Sequence, residues 1–192
     1  LENDVRISSL SRYPEVFTME EQDVDEDEMW NGLKEALDGA CVQFVKARET
    51  EGEKLRDDLT GKLDAMKALV EKIEERSPQI LSEYRANLEE KVRELLADTQ
   101  IEESRIAAEV VIFADKICTD EELVRLKSHI DHMRATLLTG EGIGRKLDFI
   151  AQEMNREANT ILSKANDLTV SNYGIDLKTE IEKVREQIQN IE

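Results

Sequence analysis

Apolar residues recur every three or four positions along nearly the whole chain, and nowhere do they alternate. Leu123, Leu126, Ile130, Met133 and Leu137 form one such seam; Leu177, Ile181, Val184, Ile188 and Ile191 form another. Leu55, Leu59, Met66, Leu69 or Val70, and Ile73 come close to the same heptad spacing. A stripe of that period lines one side of an α-helix, whereas a half-buried strand needs a period of two. Only two prolines interrupt the 192 residues. The pattern predicts an all-α fold with long, coiled-coil-like helices. The charged fraction of 36% against 4% aromatics fits that reading better than a compact α/β domain.

Turn signals divide the pattern. Residues 5–12 read as a short helix ended near Tyr13 and Pro14, because the residue before a proline resists helical geometry. A long helix is expected to start near residues 25–28, where acids suit the positive end of the helix dipole. Trp30, Leu33, Leu37, Cys41, Phe44 and Val45 supply its stripe, and Gly39, Gly52 and Gly61 predict kinks or close packing. Ser77 and Pro78 predict a break, so residues 55–100 read as a projecting antiparallel αα-hairpin. Its second arm carries Ile80, Leu81, Tyr84, Leu88, Val92, Leu95 and Leu96. Further helices are expected over 101–116, 120–138, 144–164 and 175–192. Thr119 and Glu122 have the spacing of a capping box at the start of the second of these. The core is expected from the helices of 101–192 together with residues 25–46. Unpaired seams on at least four helices predict a homo-oligomer.

The net charge of −18 argues against a protein whose whole surface coats nucleic acid. Much of the excess is local: residues 15–28 hold eight acids and no base. Residues 145–164 hold four bases and three acids, so nucleic acid would have to be held by a focused cluster. Cys41 and Cys118 lack metal-type spacing and read as reduced thiols of a cytosolic protein. No apolar run approaches the length of a membrane span.

The stretch Gly144–Lys164 is the most distinctive. As a helix it gathers Leu147, Ile150, Ala151, Met154, Ala158, Ile161 and Leu162 on one side. Arg145, Asp148, Gln152, Asn155, Arg156 and Asn159 gather on the other. An ordinary solvated face mixes Lys and Glu; this one holds amides, arginines and one carboxylate. Asn competes for backbone hydrogen bonds and is a poor helix former, so two of them mid-helix need a reason. One reading is a helix packed on one side and wet on the other. The other is a site for a phosphate and a metal ion. Carboxylates and amides are hard oxygen ligands for Mg or Mn, and arginines meet phosphates bidentately. Here Asp148, Gln152, Glu153, Asn155 and Glu157 offer oxygens and Arg145 and Arg156 offer cations. The preceding helix offers Glu122, Arg125 and His129.

The run KLDF–QE–NRE–NT–SK over 146–164, with LK–EIEK–REQIQNIE at the end of the chain, resembles the YicC-like endoribonuclease family of bacteria. ARETEG at 47–52 and EEL-x-RL-x-x-H at 121–129 match the same family in the same order. The resemblance implies a cytoplasmic endoribonuclease with RNA as substrate and other RNA-decay proteins as further partners. It makes Asp148, Glu153, Glu157, Glu122 and His129 the candidate catalytic residues. The first three of these would hold a divalent cation, Mg or Mn, for assisted hydrolysis. Arg125, Arg145, Gln152, Asn155, Arg156, Asn159, Lys164 and Arg48 become candidate RNA contacts. Residues 1–54 then read as a remnant of an N-terminal region and the start of the long helix. Residues 55–100 are the hairpin, and residues 101–192 the C-terminal domain carrying the motifs. Family members carry a further N-terminal domain, expected to be absent here, which makes the chain a C-terminal fragment. A rival mechanism uses a histidine to deprotonate the ribose 2′-hydroxyl. His129 and His132 lie three residues apart on one helix and cannot easily flank a phosphate, which favours the metal route. An alternative function also fits the heptads: a non-catalytic oligomerisation or adaptor protein that binds RNA or a partner protein.

Overall fold

The computed structural model describes residues 5–18, 25–96, 102–140 and 142–191. It is all-α, with no strand among the described residues. The elements are α1 (Ile7–Leu10), α2 (Glu26–Leu96), α3 (Glu103–Ile117), α4 (Asp120–Leu137), α5 (Gly144–Lys164) and α6 (Leu168–Ile188). The chain divides into two units, Leu1–Arg48 and Glu49–Glu192. The first holds α1 and the opening turns of α2. There Asp25 caps α2, its Oδ1 accepting from the backbone N–H of Asp27 (3.0 Å) and Glu28 (3.2 Å). No helix among the described residues is long and apolar enough to cross a membrane.

The second unit holds the core. α2 contributes Leu59, Leu63, Met66, Val70 and Ile73, spaced alternately four and three residues apart, each at most 1% exposed. They close on Leu123, Leu126, Ile130 and Met133 of α4, on Leu147, Ile150, Met154, Ala158 and Ile161 of α5, and on Leu177, Ile181 and Val184 of α6. Ion pairs set the direction of α4 against α2. Lys127 meets Glu74 at 2.6 Å, Asp131 meets Lys67 at 3.7 Å, and Arg134 meets Asp64, so the two helices run antiparallel. α4, α5 and α6 then follow one another through short turns. In the first, Gly140 (φ 94°) and Gly142 (φ 69°) take the left-handed conformation that other residues resist.

Three expectations are corrected. The core does not draw on residues 25–46, which are exposed throughout. Its α2 share comes from residues 59–73 instead. Partners of 18 to 21 residues are about 27–32 Å long and cover only part of a 71-residue helix. The break at Ser77 and Pro78 does not occur: α2 continues through Pro78. The proline forfeits the bond to the Glu74 carbonyl, but side chains bridge the gap. Arg76 donates to Gln79 at 3.2 Å and to both carboxylate oxygens of Glu83 at 2.6 and 2.7 Å, and the Ser77 hydroxyl donates to the Ile73 carbonyl. The final turns of α2 therefore pack not on its own earlier turns but on α3, where Tyr84 stacks on Phe113 with ring centroids 3.7 Å apart. Lastly, Gly39, Gly52 and Gly61 lie within α2 and mark no close packing, since an added Cβ at each would meet nothing within 4 Å. The close approach is at Gly144, where an added Cβ would lie 2.5 Å from the Ile191 carbonyl oxygen.

Candidate functional site

α5 lies between α4 and α6, and its polar residues sort onto three sides. Towards α4, the first turn of that helix is built differently from a capping box. Thr119 occupies the N-cap position but its side chain makes no cap bond. Glu122 instead turns to α5, where its Oε1 accepts from Lys164 Nζ at 2.8 Å. Glu122 is 7% exposed, and its Oε2 has no protein partner. Burial alone would push this carboxyl up. The Lys164 hydrogen bond, the residue's own backbone N–H and the charges of Lys164 and Arg125 outweigh that and hold it below its ordinary value. One turn on, Arg125 pairs with Glu121 and lies 3.9 Å from the carboxylate of Glu157, itself 6% exposed. His129 is half-buried on α4. Glu153, also half-buried, is 3.9 Å from Arg156 on its own helix.

Towards α6, Asp148 accepts from Gln152 Nε2 at 2.7 Å and from Arg185 Nε at 3.2 Å. The Asn155 amide donates to Glu182 at 2.9 Å. This gives a reason for one mid-helix asparagine: it ties α5 to α6. Arg185 and Glu182 sit in a helix read from sequence only for its apolar seam, and they were missed. At the α5–α6 turn, Asp167 caps α6 through Val170 N–H (3.0 Å) and accepts from Arg76 of α2 at 2.8 Å. The Arg76 bond and the Val170 N–H hold the Asp167 carboxyl below its usual range against the effect of burial.

The third side faces solvent. Arg145, Gln152, Arg156 and Asn159 are exposed there. A shallow depression of about 470 Å³ is lined by Gln152, Asn155, Arg156, Asn159, Thr160 and Ser163. A second, of about 550 Å³, includes Arg145 and Asp148.

This arrangement separates the three expected metal ligands. Asp148 turns to α6 and Glu157 to α4, on opposite sides of α5. Among the described residues no three His, Cys, Asp or Glu side chains converge into a metal-binding group. Asp148, Glu153 and Glu157 of one chain therefore do not fit a shared ion. The structure brings together Glu122, Arg125, Glu157 and Lys164 on the α4–α5 seam. Arg48 lies in the other unit.

A family model described as endoribonuclease YicC-like, C-terminal, matches residues 73–192. The chain belongs to the YicC-like endoribonuclease family. The model for the N-terminal region of YicC-like endoribonucleases matches residues 1–57. That region is thus represented in the chain, which corrects the expectation of its absence. A Clostridioides difficile protein described as "Probable endoribonuclease YicC" is 42% identical over 191 residues, covering 99% of this chain and 65% of the relative. A Haemophilus influenzae protein of the same description is 35% identical, covering 100% and 65%. The chain thus spans just under two thirds of the length of these YicC relatives. The YicC-like C-terminal match contains α4, α5 and α6 whole, and with them every candidate site residue except Arg48.

Proposed function

We propose that this protein acts as an endoribonuclease on RNA phosphodiester bonds, with the α4–α5 seam and the adjoining outer face of α5 as the RNA-contacting surface. The observation that carries the reading is the pairing of buried acids with solvent-reaching cations inside the family-matched segment. Glu122 holds Lys164, and Glu157 lies against Arg125. A cleaved phosphodiester gathers negative charge on its non-bridging oxygens, and pre-oriented cations stabilise that charge without reorganising. Lys164 and Arg125 supply such cations. Glu122 and Glu157 act through them as positioning residues, and Asp148 does the same for Arg185. The names of the two relatives support the reaction class.

The reaction's route is read from its ends. The protein is incubated with end-labelled RNA, with and without EDTA. Metal-assisted attack by water predicts loss of cleavage in EDTA, recovery with Mg or Mn, and 5′-phosphate ends. Attack by the 2′-hydroxyl predicts full activity in EDTA and 2′,3′-cyclic phosphate ends. An intact RNA under every condition rejects the enzymatic reading. We also propose a homo-oligomer. It is supported by the exposed stripe of Trp30, Leu33, Leu37, Phe44 and Val45 along α2, each more than half exposed.

A further inference from the structure

On the outer face of α5, one residue breaks the polar pattern. Phe149 is 63% exposed. At 100° per residue it shares its side of the helix with Arg145, Gln152, Arg156, Asn159 and Ser163. In a chain of net charge −18, these exposed positions hold two arginines and no acid. Of the neighbouring carboxylates, Asp148 is occupied by Arg185 and Gln152, and the half-buried Glu153, one turn on from Phe149, lies 3.9 Å from Arg156. Arg145 and Arg156 are about 16 Å apart along the axis at 1.5 Å per residue, with Phe149 between them. The polar depression lined by Gln152, Arg156 and Asn159 opens on the same side.

A flat apolar ring between two cations, with amides beside it and the neighbouring carboxylates set against cations, has the chemistry of a single-strand nucleic-acid platform. Such surfaces pair cations that follow the backbone with aromatics on which bases stack, whatever the base. We infer that Phe149 is a stacking platform for an unpaired base of RNA, with Arg145 and Arg156 taking the flanking phosphates. This rests on the endoribonuclease reading and adds to it: the preferred substrate is single-stranded at the point of contact.

The test is binding of a short fluorescein-labelled oligouridine, followed by anisotropy over a period in which a gel shows it intact. The variants are Phe149→Ala, Phe149→Leu and Phe149→Trp, each also weighed by light scattering. Loss of one stacked base weakens binding by roughly tenfold. That loss is expected in both the Ala and Leu variants, with affinity retained in the Trp variant and no change in mass. The salt dependence should be unchanged in these variants and flatter in Arg156→Ala, which removes a phosphate contact. Wild-type affinity in Phe149→Leu overturns the inference, since leucine keeps the apolar bulk without the ring face. A change of mass that accompanies lost binding also overturns it, because Phe149 would then be seated against another copy of the chain. If the wild-type protein neither binds nor cuts RNA, the enzymatic reading itself fails. If it binds and cuts but all three variants match it, only the role of Phe149 fails.

Discussion

Glu122 and Lys164 are the pair on which the residue-level account turns. The buried carboxylate and the half-exposed ammonium meet at 2.8 Å across α4 and α5. A double-mutant cycle with Glu122→Gln and Lys164→Met should return a coupling of about 1 kcal/mol in urea unfolding. Additive effects would contradict the pairing. The pH dependence has a definite sign. A carboxyl whose folded pKa is depressed contributes stability above its unfolded value, and that contribution is lost as pH falls through the folded pKa. The wild-type protein should therefore lose more stability than Glu122→Gln on acidification below the ordinary value of 4.5, as read by unfolding midpoints across an acid series. The separation of Asp148 from Glu157 was legible in the sequence: nine residues at 100° each place them half a turn apart. The residue types, rich in oxygen, suggested one ligand set where the periodicity already forbade it. What no sequence pattern gave was the identity of their partners. Asp148 meets Arg185 and Asn155 meets Glu182 only because α6 packs beside α5 in a particular register.

At the scale of elements, the apolar seams of α4, α5 and α6 were readable, and all their residues are buried except Leu137, Leu162 and Ile191, which are half-buried. Which part of α2 they would cover was not, because residues 30–45 and 59–73 both present apolar stripes of helical period. Local signals alone could not choose between them; the lengths and ion-pair register of the partner helices do. Pro78 shows the same limit. A proline is a sound stop signal, but its cost of about 3 kcal/mol is offset by the packing upstream and by the Arg76 bridge. Since Pro78 is exposed, Pro78→Ala should restore the backbone bond without loss of packing. It should stabilise the protein by about 1–2 kcal/mol, after allowing for the stiffness that proline gives the unfolded chain. Destabilisation would instead support a turn at this point. Gly144→Ala should destabilise by about 1–3 kcal/mol, because the new methyl meets backbone at Ile191 rather than a side chain that can move. Thermal unfolding of the two variants checks both.

For the whole molecule, the strong acidity and the proposed RNA substrate are reconciled by distribution: Glu122 and Glu157 face inward against cations, and the exposed positions on the outer face of α5 hold arginines and amides, with the half-buried Glu153 set against Arg156. The exposed stripe on α2 belongs to assembly in this account. Light scattering should give a multiple of the 22.0 kDa chain mass, reduced by Leu37→Glu together with Phe44→Glu; a monomer at micromolar concentration would contradict it. The central claim is that acids here position cations and do not themselves stand at the reaction. It is tested most directly by initial rates of cleavage of one labelled RNA by Lys164→Ala and Asp148→Asn, both checked for unchanged helicity. The account predicts a loss of about a hundredfold or more for Lys164→Ala, whose ammonium would stabilise the transition state, and only a several-fold loss for Asp148→Asn, which keeps a hydrogen-bond acceptor for Arg185. An inactive Asp148→Asn beside a nearly wild-type Lys164→Ala would contradict it and return Asp148 to the centre of the chemistry.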